Sequence, residues 1–125
     1  MAEVIISTHG ATFADVVAIA RDSAKVVISQ ESLAAMQKSR DHVEALAASD
    51  TPVYGISTGF GALANRHVST DLRTQLQRSL IRSHAAGVGA PVEVEVVRAL
   101  MALRLKTLAS GRTGVRPIVA ETMAA

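Results

Sequence analysis

The chain has 125 residues, which is one domain's worth of sequence and leaves little room for a second. Hydrophobic residues make up 49%, but 22 of them are alanine, so the core material is 15 Val, 10 Leu, 7 Ile and 4 Met with three aromatics. That content is too apolar for a disordered tail and too poor in aromatics for a base-stacking single-strand binder. The net charge of +2 is unevenly spread: residues 1–65 carry four basic and seven acidic side chains, and residues 66–125 carry nine and four. A basic second half suits an anionic substrate or an acidic partner, and it equally suits helices whose solvated sides carry arginine.

In chain order, Val4-Ile5-Ile6 and Lys25-Val26-Val27-Ile28 are short β-branched runs and predict two strands. Between them Thr12-Phe13-Ala14-Asp15 has the form of a capping box, and Phe13, Val16, Val17 and Ala20 recur at helical spacing. Residues 1–28 are therefore expected as strand, helix and strand, the two strands pairing as a small N-terminal β-ribbon. Ser29 opens a long helix over 29–49 with Leu33, Met36, Val43 and Leu46 as its apolar stripe, and Ser49-Asp50-Thr51-Pro52 ends it. Residues 53–65 form a glycine-rich loop. A helix over 70–86 carries Leu72, Leu76, Leu80 and Ile81, and Gly87, Gly89 and Pro91 break it. A further helix over 92–110 is expected to turn Val96, Val97, Leu100, Leu103 and Leu108 inward, with Gly111 as its left-handed cap. Residues 115–125 begin another helix with no stop signal after it. The fold class is mainly α.

Several chemistries are excluded or disfavoured. Without cysteine there is no disulfide scaffold, thiol nucleophile or thiolate metal site. His9, His42, His67 and His84 never stand three or four residues apart, so no metal site is expected. The N-terminus lacks a basic, apolar leader, and the longest uncharged stretch, Thr51 to Asn65, holds three glycines. A soluble cytoplasmic protein without a membrane span or nucleic-acid partner is expected.

Two segments carry chemistry. Tyr54-Gly55-Ile56-Ser57-Thr58-Gly59-Phe60-Gly61 places the only tyrosine beside glycines that permit close backbone approach, and it matches neither a dinucleotide fingerprint nor a phosphate loop. A phenol becomes a general base only where neighbours stabilise its anion, so a structural and a catalytic Tyr54 both stand open on composition. In Leu80-Ile81-Arg82-Ser83-His84-Ala85-Ala86-Gly87-Val88-Gly89-Ala90-Pro91 a histidine near a helix end is flanked by small residues that leave it uncovered. A ligand contact and a hydrogen-bonded structural histidine are both open readings.

Together these segments, with Val97-Arg98-Ala99-Leu100-Met101 and Gly114-Val115-Arg116, resemble the N-terminal region of the aromatic amino-acid ammonia-lyase family across nearly the whole chain. Ser83-His84-Ala85-Ala86-Gly87 favours its histidine-specific branch over the tyrosine and phenylalanine lyases and aminomutases. Ser57 is a departure, standing where many members carry Asn. The resemblance implies the helical N-terminal domain of the fumarase/aspartase-like ammonia-lyase fold, and a chain that is about the first quarter of a homotetrameric enzyme. It implies elimination of ammonia from L-histidine to give trans-urocanate. Tyr54 would be the catalytic residue, His84 the substrate contact, and Gly55, Gly59, Phe60 and Gly61 part of a loop lining or closing the site. The family's electrophile, methylidene-imidazolone (MIO), forms from an Ala-Ser-Gly. Ala109-Ser110-Gly111 has that sequence but stands at an expected helix end, so the MIO tripeptide is expected beyond residue 125 and this chain alone is expected to be inactive. The alternative of another class is a stand-alone helical module binding an acidic partner through its basic half.

Overall fold

A computed structural model describes residues 2–125. The chain divides into two compact units, one formed by the residues up to 42 with 91–125 and the other by 43–90.

The first unit starts with strand β1 (Glu3–Ile6), helix α1 (Phe13–Ala20) and strand β2 (Lys25–Ile28). The strands pair in parallel, with Glu3 opposite Lys25 and Ile6 opposite Ile28. Parallel neighbours need a long crossover, and α1 lies in the connection. Successive strand residues face opposite ways, so Val4 and Ile6 are buried while Glu3 and Ile5 are exposed. The capping box forms in full. The Thr12 hydroxyl accepts the Asp15 N–H at 3.2 Å, and the Asp15 carboxylate accepts the Thr12 N–H at 2.7 Å.

Helix α2 (Gln30–Ala48) begins in this unit, and the Ser29 hydroxyl caps it by accepting the Ser32 N–H at 3.1 Å. Helices α4 (Val94–Ala109) and α5 (Pro117–Ala124) complete the unit, with Pro117 in the first turn of α5, where its missing N–H costs nothing. The core is Val4, Ile6, Ile19, Ile28, Met36, Leu105 and Leu108 with four alanines. Helix α1 has no basic residue in its last turn, and Arg98 of α4 supplies one, donating from Nε to the Ile19 carbonyl at 2.9 Å. Arg21 and Glu95 form an ion pair at 2.9 Å beside it.

Helix α4 departs from the expected orientation. Its buried residues are Ala102, Leu105, Leu108 and Ala109, while Val96, Val97, Leu100 and Leu103 are exposed. Leu108 alone of the expected inward set is buried. Charged and apolar residues are both spread around the helix, with Glu95, Arg98, Arg104 and Lys106 not confined to one side, so periodicity does not select a face.

The second unit holds the end of α2, a single 3-10 turn (Gly61–Leu63) and helix α3 (Thr70–His84). Helix α3 stops two residues before the expected position. None of its residues is buried, and its stripe residues Leu72 and Ile81 are exposed. Among the described residues of this unit no hydrophobic side chain is buried, whereas Ser57 and Thr58 are, at 0% and 3% exposure. Hydrogen bonds rather than an apolar core hold it. Arg73 of α3 donates to the Ala47 carbonyl at 2.7 Å and to the Val68 carbonyl at 3.0 Å, so it closes the C-terminal end of α2, which lacks a basic residue of its own. Among the described residues no helix is long and apolar enough to cross a membrane.

Candidate active site

Tyr54 lies in the turn that follows Pro52, after α2 has ended. The turn closes through the Val53 carbonyl, which accepts the Ile56 N–H at 3.1 Å and the Ser57 N–H at 3.0 Å. Its second side is zipped to a later stretch of chain. The Val68 N–H donates to the Ser57 carbonyl at 2.9 Å, the Gly59 N–H donates to the Arg66 carbonyl at 3.1 Å, and Thr58 and His67 form an antiparallel bridge.

The loop's glycines have distinct places. Gly55 has φ of +72°, a left-handed conformation that strains any residue with a Cβ, and its α-carbon faces the Phe60 ring. Gly59 is buried, and a Cβ there would meet Leu63 at 2.6 Å. Gly61 also has positive φ, with open space around it. The Phe60 ring meets Tyr54 edge to face, with centroids 5.9 Å apart and planes at 79°. That is the arrangement aromatic quadrupoles favour. Tyr54 is 62% exposed, and its hydroxyl has no hydrogen-bond partner among the described residues.

His84 ends α3. Its Nδ1 lies 2.9 Å from the Leu80 carbonyl and 3.0 Å from the Ser83 hydroxyl, which itself donates to Leu80 at 2.8 Å. A carbonyl only accepts, so Nδ1 carries the proton and the lone pair of a neutral ring sits on Nε2. The imidazole is exposed, as are all residues from Ile81 to Val97. The structure thus offers a phenol hydroxyl and an imidazole nitrogen without hydrogen-bond partners among the described residues, with no contact joining the two. Among the described residues no group of three His, Asp or Glu side chains is placed to hold a metal.

The tripeptide Ala109-Ser110-Gly111 does not fit MIO formation. Ala109 is the last residue of α4 and is fully buried, Ser110 is its C-cap at φ −63° and ψ −15°, and Gly111 follows at φ +72°. The Ser110 hydroxyl donates to the Thr107 carbonyl at 2.7 Å, and the Gly111 N–H donates to the Leu108 carbonyl at 3.2 Å. The groups that cyclisation would require are engaged as a helix terminus, without the strained loop such chemistry needs.

Sequence reasoning missed three residues here. The motif gives Ser57 and Thr58 a place in the loop but not their burial, although Ser and Thr in a turn commonly bond nearby backbone groups. The one sequence signal for Arg73 is the lack of a basic residue in the last turn of α2.

Residues 11–125 match the aromatic amino acid lyase family, and the chain, with its tyrosine-bearing glycine turn and exposed imidazole at a helix end, is a member of it. The match spans helices and turn alike, so the stand-alone module is not favoured. Among relatives, the chain is 60% identical to the histidine ammonia-lyase of Streptomyces coelicolor over 124 residues, which is 99% of this chain and 24% of that protein. It is 61% identical to the histidine ammonia-lyase of Streptomyces griseus over the same length and coverage. Of solved structures, the tyrosine aminomutase of Streptomyces globisporus superposes with a TM-score of 0.91 at 38% identity, covering 98% of this chain and 23% of that one. The histidine ammonia-lyase of Trypanosoma cruzi gives 0.85 at 30% identity, covering 97% and 23%. The chain spans about a quarter of the length of the curated relatives it matches.

Proposed function

We propose that residues 1–125 are the N-terminal portion of a cytoplasmic histidine ammonia-lyase, an enzyme that eliminates ammonia from L-histidine to give trans-urocanate. The observation that carries this reading is the 60% identity to a histidine ammonia-lyase over 124 residues, 99% of this chain. In the elimination a Cβ–H bond and the Cα–N bond break, a Cα–Cβ double bond forms, and the amine leaves with a proton. The β-hydrogen is weakly acidic, so the step demands both a base and an electron sink.

Tyr54 is the base in this reading. The exposure of Tyr54 and a hydroxyl without a hydrogen-bond partner among the described residues support the assignment. To accept a proton the phenol must first lose its own, and that requires cationic or hydrogen-bonding neighbours. With the electrophile expected beyond residue 125, the isolated chain is inactive on this account. His84 is the substrate contact, with Nε2 accepting the N–H of the substrate imidazole. Gly55, Gly59, Phe60 and Gly61 belong to the wall behind Tyr54. MIO, formed in the whole enzyme from an Ala-Ser-Gly other than 109–111, would supply the electrophile for the amine. The exposed Val96, Val97, Leu100 and Leu103 on α4 support burial of that helix within a homotetramer.

The test is His84→Leu in the full-length enzyme. Loss of an acceptor facing a buried substrate N–H should raise KM for L-histidine about 10-fold or more. His84→Gln, which retains an acceptor, should recover part of that loss. An unchanged KM in His84→Leu rejects His84 as the substrate contact.

A further inference from the structure

The second unit buries almost nothing apolar, yet it buries two hydroxyl side chains directly beneath the tyrosine turn. The Ser57 hydroxyl accepts the N–H of Val53 at 2.9 Å, and the Thr58 hydroxyl accepts the N–H of Gly55 at 3.3 Å. Those amides belong to the residues immediately before and after Tyr54. The Thr58 hydroxyl then donates to the Gly59 carbonyl at 3.0 Å, so its donor is used as well as its acceptor. Both residues are in turn anchored through their backbones, Ser57 to Val68 and Thr58 to His67.

The consequences for Tyr54 are geometric. Its hydroxyl makes no hydrogen bond among the described residues that would fix the ring, and the Phe60 edge contact limits it on one side only. What sets the direction of the Cα–Cβ bond is therefore the backbone on either side, and two buried hydroxyls hold that backbone. Gly55, at φ +72°, would otherwise be free to turn, because glycine alone among residues crosses between left- and right-handed conformations without steric cost. The Thr58 bond to its N–H removes that freedom at the peptide that follows Tyr54.

We propose that Ser57 and Thr58 are positioning residues of the lyase, whose buried hydroxyls hold the N–H of Val53 and that of the peptide following Tyr54 and so aim its phenol at the substrate. The inference rests on the reading of Tyr54 as the base. It places part of the catalytic geometry in side chains that touch neither substrate nor electrophile.

Two measurements test it. The 125-residue chain contains one tyrosine and no tryptophan, so its ultraviolet fluorescence reports Tyr54 alone. Time-resolved anisotropy should show the fast local component of Tyr54 growing about twofold in Ser57→Ala and in the isosteric Thr58→Val, with helix content by circular dichroism unchanged. Thr58→Ser, which retains the hydroxyl, should stay near the parent. In the full-length enzyme Ser57→Ala and Thr58→Val should lower kcat by roughly 10- to 100-fold with KM moved little, the expected penalty of a misaimed reacting group. Thr58→Ser should regain most of that loss, which a purely packing role would not produce. Unchanged anisotropy in Ser57→Ala and Thr58→Val overturns the clamp. So does a kcat at the parent level in both variants while Tyr54→Phe is inactive. If anisotropy responds but Tyr54→Phe turns over normally, the clamp stands and the reading of Tyr54 as the base falls.

Discussion

Replacing Gly111 with alanine tests the packing of the first unit and the role of Ala109-Ser110-Gly111 together. Gly111 has φ of +72°, and a Cβ built there would sit 2.5 Å from the Ala35 Cβ, 2.9 Å from its carbonyl carbon and 3.1 Å from its oxygen. Two costs add. An L-residue in the left-handed region loses about 1–2 kcal/mol, and forcing a methyl into a closed contact costs roughly 1–3 kcal/mol more, so Gly111→Ala should destabilise by about 2–5 kcal/mol. The upper part of that range is favoured because two of the three close atoms are backbone atoms of α2 and cannot swing aside. A domain of this size commonly has about 5–15 kcal/mol in all, so the loss is a large share of it. Urea unfolding followed by circular dichroism measures it. Adding Ala35→Gly removes the 2.5 Å contact but leaves the other two, so the double variant should recover only part of the loss. A cost below about 0.5 kcal/mol for Gly111→Ala would refute the close packing of the α4 terminus on α2. It would also reopen the tripeptide to a conformation other than a helix cap.

Two further outcomes follow from side chains in the first unit. Ser32 is fully buried and its hydroxyl has no partner among the described residues, so Ser32→Ala removes an unsatisfied polar group while keeping the capped N–H. It should stabilise by about 1 kcal/mol in the same urea assay, and a loss of stability would mean that the hydroxyl is bonded after all. The hydrogen bonds from the Thr12 backbone and then from its side chain hold the Asp15 carboxyl below its ordinary value of 3.8. A carboxylate depressed in the folded state contributes stability that is present above 3.8 and is lost as pH falls through the folded value. Thermal unfolding of the parent should therefore weaken more steeply than that of Asp15→Asn as pH is lowered below that point, and identical pH profiles would show that the box does not hold in solution.

Much of the first unit was legible because its signals are local. The β-branched runs at Val4–Ile6 and Lys25–Ile28, the Thr12–Asp15 box, the Ser29 cap and Gly111 each act within a few residues, and each appears where the sequence places it. Parallel pairing of the strands was not legible, because a strand's own residues do not state the direction of its neighbour. Nor was the inward face of α4. Val96, Val97, Leu100 and Leu103 outrank Ala102 and Ala109 in hydrophobicity, yet the face that turns inward is that of Ala102, Leu105, Leu108 and Ala109. The reaching arginines escaped for a related reason. Arg73 bonds a carbonyl 26 residues earlier and Arg98 one 79 residues earlier, and no local pattern reports such partners. At the candidate site the residue types Tyr54 and His84 were visible from the motifs, while the buried hydroxyls beneath the turn depend on how the loop folds back on Arg66–Val68.

The most direct test of the functional account is the turnover of L-histidine by the full-length enzyme carrying Tyr54→Phe, followed as urocanate absorbance. Phenylalanine retains the ring that meets Phe60 and removes only the hydroxyl, so the fold of the turn is kept and the proton acceptor is lost. The account predicts that kcat falls by about 10²- to 10⁴-fold, the usual contribution of a positioned acid–base group, with L-histidine still bound at near-parental affinity. A kcat within a few-fold of the parent would contradict it, and the base would then have to be sought elsewhere.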